Sequence, residues 1–215
     1  MIRLDLHVHT QYSYDSKTTL KQVFRAAEKA GLDGVAITDH GTVEGALKAL
    51  RLKPKIFVVP GMEVDAKGGH ILALGVRKRV PEGLSVLETV ERIHELGGLA
   101  VASHLYAFFK SCHWSLEELS SFDAIEVINA SAIPFGRSTR RSFRVARALG
   151  LPMVAGSDAH IPEAIGYAYT VVDAEASLDD VLEAIRKGRT QPVGRATPIL
   201  LKLKKWMAWR PRIKE

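Results

Sequence analysis

The sequence predicts a single α/β domain, a distorted (β/α) barrel, and three observations carry that expectation. Short apolar strands alternate with amphipathic helices along almost the whole chain, a rhythm that implies mostly parallel strands joined by right-handed crossovers. The length, 215 residues, suits one domain of this kind. Polar and ionisable residues recur where the strands end, and parallel barrels keep their ligands at that rim.

The first strand is expected over residues 3–10, in "MIRLDLHVHT". Ile2, Leu4, Leu6 and Val8 alternate there with Arg3, Asp5, His7 and His9. A strand repeats every two residues, so Asp5, His7 and His9 share one face, an arrangement that costs energy unless something pairs with them. In "LKQVFRAAEKAG" (20–31), Val23, Phe24, Ala27 and Ala30 recur at helical spacing and Gly31 terminates the run. Further strands are expected at 34–38, 56–64, 70–76, 99–103, 124–129, 153–156 and 168–172. "SVLETVERIHELGG" is a helix with Ser85 as N-cap and Gly97 as stop, and 137–149 and 178–187 are two more. The final stretch, "LLKLKKWMAWRPRIKE", interleaves tryptophan with lysine and arginine. It reads as a basic helix or tail (196–215) docked on a barrel spanning 1–195, with its charged side towards water.

The net charge of +6 favours anionic partners: a phosphorylated small molecule, nucleic acid or a membrane surface. No apolar run approaches the roughly 18 residues of a membrane span, and no signal-peptide pattern opens the sequence. The single cysteine, Cys112, excludes an internal disulfide framework and fits a reducing cytoplasm. One asparagine and three glutamines amid abundant Lys, Arg and Glu lean towards a thermophilic source. Nothing in the sequence fixes an oligomeric state.

The strand ends carry chemistry. His7 and His9 close the first strand, Asp39 and His40 follow "GVAIT", and Glu63 ends "FVVPGM". His104 ends "LAVAS", Glu126 and Asn129 lie late in "AIEVIN", Asp158 and His160 follow "MVAGS", and His70 begins "HILALGV". Imidazoles and carboxylates without cysteine suit divalent Zn, Mn or Fe. There are too many for one ion, so two or three metals sharing a bridging carboxylate are expected, with Glu63 as the bridge. Asp5 and Asp39 are expected to orient imidazoles through the nitrogen that does not bind metal, while His94 and His113 read as surface residues. Substrate binding calls for fixed positive charge. Arg137, just after a strand-end loop, is the candidate phosphate clamp. The helix N-terminus near Ser138 and Thr139 adds donors, and Asn129 joins Arg137 and Ser138 on the substrate side.

"DLHVHT", "YDS", "AITDHGT", "GMEV", "GGHILALG", "EVIN" and "AGSDAH", in that order, resemble the motifs of the PHP (polymerase and histidinol phosphatase) metallophosphoesterases. The resemblance runs over residues 4–190. It implies a distorted seven-stranded, TIM-like (β/α) barrel with two or three metals at its rim. By motif, His7, His9, Glu63 and Asp158 would hold the first metal, and Glu63, His70 and His104 the second. Asp15, His40 and His160 would complete a third site. Two departures stand out: "SHLY" replaces the family's common His-Pro at His104, and residues 130–157 add no further ligand. The family hydrolyses phosphate esters such as histidinol phosphate, nucleoside bisphosphates and oligonucleotide ends. The expected chemistry is in-line attack on phosphorus by a metal-bridging hydroxide, with His160 or His40 protonating the leaving alkoxide and Asp158 indispensable. The compact size favours a small nucleotide-type or other phosphomonoester substrate. Two alternatives remain open: a nucleic-acid-binding or accessory role for the basic surface, and hydrolysis of a non-phosphate bond.

Overall fold

The computed structural model describes residues 1–108, 112 and 114–208, with the backbone alone at 206 and 208. Among the described residues nine strands form one sheet: β1 (Ile2–Val8), β2 (Gly34–Ile37), β3 (Phe57–Ala66), β4 (Gly69–Leu74), β5 (Leu99–Ala102), β6 (Ala124–Asn129), β7 (Met153–Gly156), β8 (Ala168–Val172) and β9 (Thr190–Gly194). Their order is β7-β6-β5-β4-β3-β2-β1-β8-β9. The sheet curls until the end of β7 meets β1. Asp158 N donates to His7 O and His9 N donates to Ala159 O, each at 2.9 Å. Thr170 Oγ1 fastens β8 to β7 through Ala155, accepting from its N at 2.8 Å and donating to its O at 3.0 Å.

The sheet has nine strands where seven were expected, and it is mixed rather than mostly parallel. β1-β2-β3 and β5-β6-β7 are parallel, whereas β4 runs against both neighbours and β8 and β9 run antiparallel. The reason is local at β3–β4: only Lys67 and Gly68 connect them, too few for a crossover. Gly68, at φ +86, supplies the left-handed residue this hairpin needs. The reversal decides the place of His70. A residue opening a parallel strand would lie at the far rim, but β4 runs backwards, so its start lies at the ligand rim.

The helices are α1 (Leu20–Lys29), α2 (Glu44–Arg51), α3 (Val86–Glu95), α4 (Leu116–Leu119), α5 (Phe135–Leu149), α6 (Leu178–Arg186) and α7 (Ile199–Ala208). Thr19 with Gln22 and Ser85 with Glu88 form capping boxes that start α1 and α3. α5 begins at Phe135, two residues before the expected start, and ends on Gly150 in the left-handed conformation. One apolar cluster joins Leu4, Leu6, Val59, Leu99 and Val154 to Val181 and Ile185 of α6. A second packs α1 and α2 on β1 and β2, and a third packs α3 and α5 on the β4–β6 side. His113 and Trp209 lie outside the described residues. Among the described residues no helix is long and apolar enough to cross a membrane.

Candidate metal centre

β1 delivers His7 at its end and His9 just beyond, both fully buried. His7 Nε2 lies 3.1 Å from His9 Nε2 and 3.1 Å from Glu63 Oε2. His9 Nε2 is 3.2 Å from the same carboxylate oxygen. Two imidazole nitrogens facing each other inside a dry core cannot both carry protons, and donors arranged in this way present lone pairs to a cation. Asp158 Oδ1 stands 3.6 Å from His9 Nε2 and 3.8 Å from His7 Nε2. The second oxygen of Glu63, Oε1, accepts from His70 Nδ1 at 3.0 Å and His104 Nε2 at 2.9 Å. Asp15 Oδ2 lies 2.7 Å from His160 Nε2 and 3.8 Å from His40 Nε2. The His9 and His160 rings stack at 4.1 Å.

These contacts resolve into overlapping donor sets whose ligand atoms all lie within 4.8 Å of one another: His7–His9–Glu63, Glu63–His70–His104 and His9–Asp15–His40–His160. A further set, His40–Asp65–His70, borders them. Glu63 belongs to two sets, and His40 Nε2, 3.5 Å from its Oε2, links it to another. The structure thus brings all nine expected ligand residues to one rim. Asp65 was not anticipated, although it lies two residues after Glu63 on the same strand face and that spacing was a usable signal. Oxygen and imidazole donors with no thiolate suit divalent cations, and the geometry fits such ions.

The outer nitrogens are also held. His7 Nδ1 donates to Glu126 Oε1 at 3.0 Å, and His160 Nδ1 donates to the Asp158 carbonyl at 3.0 Å. His9 Nδ1 meets Ser13 Oγ at 3.3 Å, and Asp65 Oδ1 lies 3.3 Å from His70 Nε2 and 3.8 Å from His40 Nδ1. Glu126 and Asp65 therefore fill the orienting role expected of Asp5 and Asp39. Those two carboxylates instead hold backbone. Asp5 accepts from the N–H groups of Ser157 (2.8 Å), Gly166 (3.0 Å) and His7 (3.3 Å). Asp39 accepts from Thr10 N at 2.6 Å and Thr10 Oγ1 at 2.8 Å. They fix the loops that carry the ligands. His104 (φ 30) and Asp158 (φ 54) adopt left-handed backbone at their strand ends. Such residues cost about 1–3 kcal/mol and cluster where function demands them.

Electrostatics follow from crowding under burial. Burial raises Asp5 to about 6 despite its backbone donors, and does the same to Asp39. Burial, helped by the neighbouring His160, lowers His9 to about 3, which keeps its lone pair available. Burial opposes charge on Glu63, yet His40 and His7 beside it hold its carboxyl well below the usual range. Burial also works against a charged His7, but Glu63, Glu126 and Asp158 outweigh it and raise that imidazole.

The expected substrate-side residues sit differently. Asn129 Nδ2 donates to Glu126 Oε2 at 3.0 Å and Asp158 Oδ2 at 3.4 Å, and its Oδ1 accepts from Ser131 N, so its amide braces ligands. Ser138 N is spent inside α5 on Pro134 O, because the helix starts earlier than expected. Arg137 is exposed in the first turn of α5. Tyr14, also exposed, stacks over His40 at 4.9 Å. His94 pairs at the surface with Asp123. The lysines of α7 do not all face water. Lys202 is half-buried against the loop after β6, and Lys205, after burial itself, holds His160 below its ordinary pKa.

Comparison with known proteins agrees with this geometry. The PHP-associated family matches residues 136–190. An uncharacterized protein of Methanocaldococcus jannaschii is 36% identical over 142 residues, which cover 60% of this chain and 82% of that protein. A phosphoribosyl 1,2-cyclic phosphate 1,2-diphosphodiesterase of Eggerthella lenta is 38% identical over 100 residues, 42% of this chain and 37% of that enzyme. Among solved structures, a two-domain Bacteroides vulgatus protein containing a PHP-like metal-dependent phosphoesterase superimposes with a TM-score of 0.75 at 19% identity, over 90% of this chain and 65% of that one. With its motifs in order and their side chains gathered at one rim, the chain belongs to the PHP superfamily.

Proposed function

We propose that the protein is a metal-dependent phosphoesterase acting on small phosphorylated molecules, of nucleotide type or other phosphomonoesters. The observation that carries this is Glu63, whose two oxygens face different donor sets and so can bridge two cations. His7, His9, Glu63 and Asp158 would hold the first, Glu63, His70 and His104 the second, and Asp15, His40 and His160 a third. Divalent cations of the Mn, Zn or Fe type, when bound, supply Lewis acidity and lower the pKa of coordinated water.

The chain's own groups do the rest. Glu126 and Ser13 hold His7 and His9 by their outer nitrogens, with Asp65 at ion-pair range of His70 and His40, so that the inner nitrogens stay directed at the centre. Where the Asp15–His40–His160 set does not hold a cation, Nε2 of His160 or of His40, both facing Asp15, can carry the proton to the leaving alkoxide. Arg137 supplies an exposed guanidinium at the start of α5 for the phosphate, while the buried Asn129 steadies Asp158 and Glu126. Tyr14, exposed over His40, offers a face on which a base or sugar can stack. The resemblance to a cyclic-phosphate diphosphodiesterase over 42% of the chain supports phosphorus as the reacting atom.

The test is phosphate release by metal-stripped protein, with and without Mn²⁺, across phosphomonoesters, nucleoside 3′,5′-bisphosphates and short oligonucleotides. Turnover should appear with metal and fall by several orders of magnitude in Asp158→Ala. Metal binding without turnover on any of these would overturn the reading.

A further inference from the structure

α7 brings positive charge to the rim. Thr197 N donates to Ala130 O at 2.8 Å, which starts the helix beside the loop after β6. Lys204 Nζ meets Glu163 Oε1 at 2.5 Å and ties the helix to the segment after β7. Leu201 packs into the cluster shared with α1. Between these anchors Lys202 donates from Nζ to the carbonyls of Ser131 (3.1 Å) and Ala132 (3.3 Å). Lys205, one turn on, shares its face.

Lys202 is half-buried and makes no ion pair among the described residues. An ammonium losing water calls for an anion, whereas two carbonyls offer dipoles and no charge. Burial depresses its pKa, and the anion opposing that effect is Asp158. But Asp158 directs Oδ1 at His7 and His9, so a cation held there would take up its charge. Lys202 is then left with one unspent N–H and an unmatched charge beside the loop after β6, which follows Asn129, the residue that contacts Asp158. The phosphoryl to be cleaved would be met by cations held in the donor sets, so the anion that suits Lys202 is a different group of the substrate.

We propose that Lys202 is a specificity-determining residue that receives a second anionic group of the substrate, favouring phosphate esters that carry another phosphate or carboxylate near the scissile one. This rests on the phosphoesterase reading above.

The experiment compares p-nitrophenyl phosphate with a nucleoside 3′,5′-bisphosphate, using the full chain reconstituted with Mn²⁺. Wild type should show the lower KM for the bisphosphate. Lys202→Gln should raise that KM about tenfold with little change in kcat, equivalent to about 1.4 kcal/mol. Its effect on p-nitrophenyl phosphate should be much smaller, and Lys202→Arg should restore part of the loss. Lys204→Gln, which loosens the helix without touching Lys202, should keep the preference. Equal losses on both substrates, or a loss in kcat alone, would mean that Lys202 merely seats the helix and would overturn the proposal. If neither substrate turns over, the phosphoesterase reading fails, and calorimetry with pyrophosphate on the metal-loaded protein then decides the role of Lys202. Binding about tenfold weaker in Lys202→Gln supports an anion site, and equal binding refutes it.

Discussion

Asp65 projects from β3 on the same side as Glu63 and lies against the outer nitrogens of two imidazoles, His70 Nε2 at 3.3 Å and His40 Nδ1 at 3.8 Å. A carboxylate in that position stands at ion-pair range of both rings and biases their aim, and loss of such outer partners typically weakens metal affinity 10–100-fold. Asp65→Asn should therefore lower affinity for Mn²⁺ by about that factor in competition with a fluorescent chelator, while the melting temperature of the stripped protein barely moves. Glu126→Gln should act in the same direction through His7. At this scale the sequence was most legible for residues whose role depends only on being at a strand end. His7, His9, Glu63 and Asp158 could be read there because polar groups in apolar strands are conspicuous. The roles of Asp5 and Asp39 could not, because whether a carboxylate reaches an imidazole or a backbone N–H depends on the neighbouring loop. Here Ser157, Gly166 and Thr10 reach them first.

Among the elements, β7 approaches β1 closely at Gly156, where an added Cβ would fall 2.4 Å from His7 Cβ and 2.9 Å from Glu126 Oε1. Neither neighbour is free to retreat. Gly156→Ala should destabilise the protein by about 1–3 kcal/mol, read from the urea midpoint, and should also weaken metal binding by displacing His7. Ser85→Ala, which removes the α3 cap far from the rim, should cost about 1 kcal/mol and leave kinetics untouched. Eight of the nine strands were visible as apolar runs. β9 was not, since "TQPVG" pairs only with β8 and is largely open to solvent, so its sequence carries no buried face. α2 has no side-chain cap to announce it. The antiparallel course of β4 was hidden as well, although Gly68 and Gly69 mark the hairpin that causes it.

The whole molecule should respond to its cations as a unit, because the donor sets draw on β1, β3, β4 and the segments after β1, β2, β5 and β7. Anything that binds the folded state alone stabilises it, by about 2.7 kcal/mol at a free concentration one hundred times the Kd. Stripping the protein with a chelator should lower its melting temperature by several degrees, and Mn²⁺ should restore it. An unchanged transition would count against metal binding at this rim. The docking of α7 belongs to this scale too. Its lysines looked like a solvated face in sequence, and only the closed barrel shows that Lys202 turns towards the loop after β6.

The seam between β1 and β7 also has a consequence in time. His7 and His9 leave the ribosome some 150 positions ahead of Asp158 and His160, which complete their surroundings. At about 5–20 residues per second, that gap is on the order of ten seconds or more. Throughout it the donor sets that need Asp158 or His160 stay incomplete. Complete cation loading would therefore be a late step in the protein's biogenesis, with the choice of ion falling to the finished barrel rather than to the emerging chain.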